Sequence, residues 1–190
     1  MNRRELLKMI SAATGTAMIG GGALLSGCSR EPSDSDISTA QLVFSANDVQ
    51  LLDEIAETIL PRTDTPGAKD AQVGQFMTVY VRDCYTEEEQ NLFHSGLVQL
   101  QETSLATYGQ EFIDLEAEQR LELVRELDTQ AKTQLAESDQ PHYFTMFKQL
   151  TLFGFFTSEP GATQALRYVA VPGRYDGCMD YEEGDRGWAT

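Results

Sequence analysis

Three cysteines, two histidines and a run of three adjacent glutamates carry most of the reactive chemistry in this 190-residue chain. A thiol activated by an imidazole is a nucleophile pair, and Cys84 with His94 is the combination closest in sequence. The two fall on different predicted helices, and nothing in their spacing brings them together. Glu87, Glu88 and Glu89 would hold a metal only if they converged. Adjacent residues on a helix point in different directions, so the run reads as a solvated first turn favoured by the helix dipole. No Cys-x-x-Cys pair offers a zinc or iron–sulfur framework. No Gly-x-Gly-x-x-Gly follows a strand, and Gly20-Gly21-Gly22 lies in the leader, so dinucleotide binding is not supported. A Gly-x-Ser-x-Gly elbow and an Asp-x-Asp-x-Asp-Gly calcium loop are likewise absent. The sequence predicts no catalytic, cofactor or metal residue in this chain.

The third thiol belongs to a different chemistry. Cys28 ends the stretch Leu25-Ser26-Gly27-Cys28, which is similar to a bacterial lipobox. There the sulfur takes a lipid and the cysteine becomes the first residue of the mature chain. Ahead of it stand a positive n-region, Asn2-Arg3-Arg4-Glu5-Leu6-Leu7-Lys8, and a Gly/Ala-rich apolar run from Met9 to Ala23. That run is too short to span a bilayer core of about 30 Å, and the order of parts is that of an export signal. The Arg3-Arg4 pair resembles a twin-arginine signal. That route serves proteins that fold, or gain a cofactor or partner, before crossing. Residues 1–28 are therefore expected to be a twin-arginine, lipoprotein-type signal. Residues 29–43, polar at first, are expected to be a tether, and residues 44–190 one helical domain. The expected location is the periplasm, with a lipid anchor in the membrane.

Composition narrows the partners. The chain carries a formal −16, and Arg3, Arg4 and Lys8 against Glu5 give the leader +2, leaving −18 on the rest. Such a surface repels nucleic acid and favours a partner with a basic face. With Cys28 acylated, Cys84 and Cys178 remain in an oxidising compartment. They either pair within the chain or bridge to a partner.

The elements that must position these residues read as helices. Ser45 with Asp48 makes a capping box. Val49, Leu52, Ala56 and Ile59 then share a face, with Leu51 and Ile55 beside it, until Pro61 stops the helix. Residues 61–69 form a turn-rich connector. Val73, Phe76, Met77 and Tyr80 give the next face, to about Asp83. Thr86 and Glu89 cap a third helix carrying Leu92, Phe93, Gly96, Leu97 and Leu100, closed by Gly109. Asp114 is placed to cap a helix with Leu121, Val124 and Leu127. Pro141 opens a long apolar helix that ends near Ser158. Beyond Val169 the chain is Gly- and aromatic-rich with no helical period. The expectation is an all-α fold, a five- to six-helix bundle with an irregular extended C-terminal tail.

Two segments then identify a resemblance. One is Ile59-Leu60-Pro61-Arg62-Thr63-Asp64-Thr65-Pro66-Gly67-Ala68, running on to Ala71 and Val73. The other is Phe156-Thr157-Ser158-Glu159-Pro160-Gly161-Ala162-Thr163, then Leu166-Arg167-Tyr168 and Val171-Pro172-Gly173-Arg174-Tyr175-Asp176-Gly177. Both resemble the gluconate 2-dehydrogenase subunit 3 family, over roughly residues 44–190. Pro160 departs from it, standing where an apolar residue such as Ile or Val is expected. The resemblance implies a non-catalytic small subunit of a periplasmic sugar or sugar-acid dehydrogenase. Its large partner, of the glucose–methanol–choline type, holds FAD, and a multihaem cytochrome c subunit often completes the complex. The small subunit is expected to carry the pair through the twin-arginine translocase and to support maturation of the flavoprotein. The alternative is a stand-alone envelope lipoprotein that binds a small ligand or another protein.

Contact with such a partner needs anchors. Tyr143, Phe147, Phe153 and Phe156 belong to a helix apolar on more than one face, which its own fold or a partner must cover. The tail offers Arg174, Tyr175, Asp176 and Trp188, residue types of which Arg, Tyr and Trp are enriched in interfaces. Arg167 and Arg174 either pair internally, with Glu159 or Asp176, or reach across to the partner. The expected interface is therefore Tyr143, Phe147, Glu159, Arg167, Arg174, Tyr175, Asp176 and Trp188.

Overall fold

The computed structural model describes residues 44–138 and 141–190. Arg3, Arg4, Cys28 and the expected leader and tether, up to Val43, lie outside the described residues. Among those described, five α-helices follow one another: α1 Ala46–Ile59, α2 Val73–Cys84, α3 Glu87–Tyr108, α4 Ala117–Glu137 and α5 Tyr143–Phe156. The fold is an all-α bundle. None of these helices is long and apolar enough to cross a membrane.

Local chemistry sets most boundaries. At α1, Ser45 Oγ accepts from the Asp48 amide at 3.2 Å, and Asp48 accepts from the Ser45 amide at 2.8 Å. Thr86 and Glu89 repeat the arrangement at α3. The last turn of α1 ends at Leu60, before Pro61, and Gly109 closes α3 in the left-handed region at φ 71°. The start of α4 differs from expectation. Phe112–Asp114 forms one turn of 3-10 helix, which uses up Asp114, and Glu116 takes the cap position instead. Its amide donates to Gln119 Oε1 at 3.1 Å. Leu121, expected in the core, is exposed, and Leu123 is buried in its place.

Helix α5 is the centre of the bundle. It packs against α1, α2, α3 and α4. That position explains why its sequence is apolar on more than one face: the fold surrounds it. Tyr143, Phe144, Phe147 and Leu150 are buried in a core with Leu52, Ile55, Met77, Phe93, Leu100 and Leu127. Phe93 and Phe147 meet edge to face at 4.7 Å between ring centroids. Of its large apolar residues, only Leu152, Phe153 and Phe156 in the last turns are exposed.

The C-terminal tail is not wholly irregular. Arg167–Tyr168 (β1) and Trp188–Ala189 (β2) pair in parallel, Arg167 opposite Trp188 and Tyr168 opposite Ala189. The Arg167 amide donates to the Gly187 carbonyl and the Val169 amide to the Ala189 carbonyl, each at 2.8 Å. The segment between the strands is thereby closed into a loop. Its partners are about twenty residues apart, a pairing that no local period announces.

Candidate partner-binding surface

Three carboxylates of α1 hold the connector that follows it and the start of α2. Glu57 accepts from the Arg62 amide through one oxygen and from the Lys69 amide through the other, both at 2.9 Å. Glu54 binds the Arg120 guanidinium at 2.6 Å and also pairs with Lys69. Asp53 accepts from the Gly74 amide at 2.9 Å, in the first turn of α2. Burial raises the Asp53 pKa above the ordinary carboxylate value, and the Gly74 amide opposes that shift. Within the connector, Asp70 accepts from the Gly67 amide at 2.8 Å and pairs with Arg62. The sequence marked this segment as turn-rich but did not single out Asp53 or Glu57. A carboxylate that caps a distant loop leaves no periodic trace.

The second segment lies beside the first. After α5, Ser158 Oγ donates to the Phe155 carbonyl at 2.6 Å and accepts from the Gly161 amide at 3.1 Å. The turn Gly161–Ala165 is wound wider than an α-helix, as a single π turn. Pro160 precedes it at φ −63°, the angle its ring fixes, so the departure at this position costs the backbone nothing. Arg62–Pro66 and Asp70 face Pro160 and Gln164 across a shallow polar cleft. Two segments about a hundred residues apart in sequence thus share one surface.

The tail continues that surface. Arg186 donates to the Gln164 carbonyl at 2.8 Å. The Arg167 guanidinium lies 4.7 Å from the centroid of the Trp188 ring and 3.6 Å from Asp185. Arg174 pairs with Asp176 at 3.3 Å. Both arginines therefore have internal partners, Arg167 with Asp185 rather than with Glu159 or Asp176. Glu159, Tyr175 and Trp188 are exposed.

Tyr143 and Phe147 do not join them. Both are buried, Phe147 completely, in the chain's own core. Their expected role as partner anchors is corrected: helices α1 to α4 already cover them. Exposed apolar surface instead concentrates after residue 151. Among the described residues, nine of the fourteen large exposed hydrophobic residues lie there: Leu152, Phe153, Phe156, Tyr168, Val171, Tyr175, Met179, Tyr181 and Trp188. Met179 and Tyr181 were not singled out from the sequence. Phe153 also completes an aromatic cluster with Phe76 and Tyr80, at 5.7 and 5.5 Å, and Tyr80 meets Tyr85 at 5.6 Å.

The groups considered for catalysis and metal binding have the following surroundings. His94 stacks on Phe44 at 4.3 Å, and its Nε2 is buried without a hydrogen-bond partner. Burial lowers its pKa, and Asp48 opposes the shift. Cys84, at the end of α2, and Cys178, in the tail, are both exposed free thiols, so the structure does not join them in a disulfide. Glu87, Glu88 and Glu89 lie exposed in the first turn of α3, where Glu89 serves the cap. Among the described residues no group of three or more His, Cys, Asp or Glu side chains is placed to hold a metal ion.

Comparison with known protein families gives a match. Residues 46–173 match the family model described as Gluconate 2-dehydrogenase subunit 3. The span includes the carboxylate-held connector and the π turn, and it ends at Gly173, so residues 174–190 lie beyond it. No curated protein and no solved structure matches the chain.

Proposed function

Because the chain belongs to the gluconate 2-dehydrogenase subunit 3 family, we propose that it is the non-catalytic small subunit of a periplasmic, FAD-dependent sugar or sugar-acid dehydrogenase. The family match over most of the helical domain carries this reading. FAD belongs to the large subunit, of the glucose–methanol–choline type, and a multihaem cytochrome c subunit takes the electrons where one is present. This chain escorts the flavoprotein through the twin-arginine translocase and then holds it at the membrane through lipid on Cys28. The leader sequence supports that part, with Arg3-Arg4 ahead of a short apolar run and Cys28 at its end.

The surface available for the large subunit is the exposed apolar region after residue 151 and the polar cleft beside it. Its composition of Phe, Tyr, Trp and Arg is that of interface anchors. The acidic remainder of the chain favours a partner that presents a basic face.

Expression of this chain alone, without a partner, tests the reading. The purified chain is expected to lack flavin absorbance and to oxidise no sugar or sugar acid with an artificial electron acceptor. Co-expression with its glucose–methanol–choline flavoprotein is expected to yield a stable hetero-oligomer containing both chains. Intrinsic dehydrogenase activity of the isolated chain would overturn the proposal.

A further inference from the structure

The loop closed by β1 and β2 has a rigid base and an uncovered crown. At the base, the two-residue parallel pair, the Arg167 guanidinium on Trp188 and the Arg186 bond to Gln164 fix both ends to the π turn. Glu182 and Asp185 close a further turn, the Asp185 amide donating to the Glu182 carbonyl at 3.0 Å. Gly173 and Gly184 stand in the left-handed region, at φ 74° and 95°, where a side chain would strain the backbone. At the crown, Val171, Tyr175 and Tyr181 are 80%, 95% and 74% exposed. Long loops with defined bases and exposed apolar crowns are commonly functional. A free chain gains nothing by holding large apolar side chains in water.

The loop is also charged with one sign. Between Val171 and Arg186 stand Asp176, Asp180, Glu182, Glu183 and Asp185 against Arg174 and Arg186, a net of −3. All but its first three residues lie beyond the span that the family model matches. An apolar crown with an acidic surround fits an apolar cleft rimmed by Lys or Arg. Preforming the loop lowers the ordering entropy that binding costs. A membrane surface suits it poorly, since anionic lipid repels its acids.

We infer that the Val171–Arg186 loop is a docking element for the large subunit, seating Val171, Tyr175 and Tyr181 in an apolar cleft with a basic rim. The inference rests on the reading of the chain as a dehydrogenase small subunit.

The test measures affinity between the full mature chain and its purified flavoprotein by surface-immobilised binding, across a range of salt concentrations. Tyr175→Ala combined with Tyr181→Ala is expected to weaken binding at least thirtyfold, since an interface anchor is worth about that much alone. Asp180→Asn with Glu182→Gln and Glu183→Gln is expected to slow association and to flatten its salt dependence. Trp188→Ala, which frees the base but keeps the crown, is expected to weaken binding through a slower on-rate and a faster off-rate. Val98→Ala, on α3, is expected to bind as the parent chain does. Circular dichroism checks that each variant keeps its helices. If the parent chain binds and the double tyrosine variant, still folded, binds equally well, the loop is not the docking element. If the parent chain itself fails to bind the flavoprotein, the small-subunit reading fails, and the loop proposal falls with it.

Discussion

His94 and His142 hold imidazoles whose charged forms the fold disfavours, which gives the contribution of these two residues to stability a definite sign with pH. Burial lowers both pKa values below the ordinary 6.5. The His142 Nδ1 must also stay unprotonated to accept the Phe144 amide at 3.2 Å, at the start of α5. The native state therefore binds fewer protons than the unfolded chain just below pH 6.5. Stability from these residues is complete above that pH and falls as pH drops through the window beneath it. His94→Phe keeps a ring against Phe44 and removes the titration. Urea denaturation at pH 7.5 and 5.5 is expected to show a smaller loss for His94→Phe than for the parent chain. An equal loss would show that His94 is not protonated on unfolding in this range. Gly96 makes a second residue-scale test. A Cβ there would sit 2.6 Å from the Cβ, Cγ and Cδ2 of Tyr143, where α3 crosses α5. Those atoms are the buried root of the side chain and cannot swing aside. Gly96→Ala gains helix propensity of about 1 kcal/mol but overpacks the crossing by about 1–3 kcal/mol. A lower melting temperature is expected, and a raised one would place the two helices further apart than described.

At the scale of elements, the parts that were legible in the sequence are those whose cause is local. Ser45 with Asp48, Thr86 with Glu89, Pro61 and Gly109 each act within a few residues, and each marks a boundary where expected. The start of α4 was misread because a 3-10 turn intervenes and consumes Asp114. The α1 stripe shifts towards Leu51 and Ile55 because α1 packs on α2, α4 and α5 at once, and all three share in what is buried. Tyr143 and Phe147 could not be sorted from the sequence. An apolar face needs a cover, and periodicity does not say whether the cover is the chain itself or another. The β1–β2 pair and the Glu57 clamp depend on contacts that only the folded chain makes. The clamp can be tested directly. Glu57→Ala leaves the Arg62 and Lys69 amides without their acceptor, at about 1–3 kcal/mol for a buried group and less where water reaches. Hydrogen exchange by mass spectrometry is expected to speed up across residues 61–69 while α3 keeps its protection. Unchanged exchange in the connector would mean that Asp70 and Arg62 suffice to hold it.

At the scale of the whole molecule, a central apolar helix makes a self-sufficient core, and the surplus of apolar surface collects at the C-terminal end. The chain carries a formal −16, a charge that favours a partner presenting a basic face. The proposed export signal makes its own prediction. Replacing Arg3 and Arg4 together by Lys is expected to leave both this chain and a leaderless partner in the cytoplasm, read by fractionation and immunoblotting. Normal periplasmic yield would contradict the escort role. Cys28→Ala is expected to release the protein from the membrane or leave the leader uncut. Mass spectrometry of the parent N-terminus decides it, since a mature chain starting after an unmodified Cys28 is incompatible with a lipid anchor. The most direct test of the central claim is the mass and absorbance spectrum of the complex that a tagged form of this chain brings out of detergent-solubilised membranes. The account predicts a stoichiometric flavoprotein of the glucose–methanol–choline type, with an FAD spectrum that bleaches on adding a sugar or sugar acid. A colourless chain eluting alone from cells that contain that flavoprotein would contradict it.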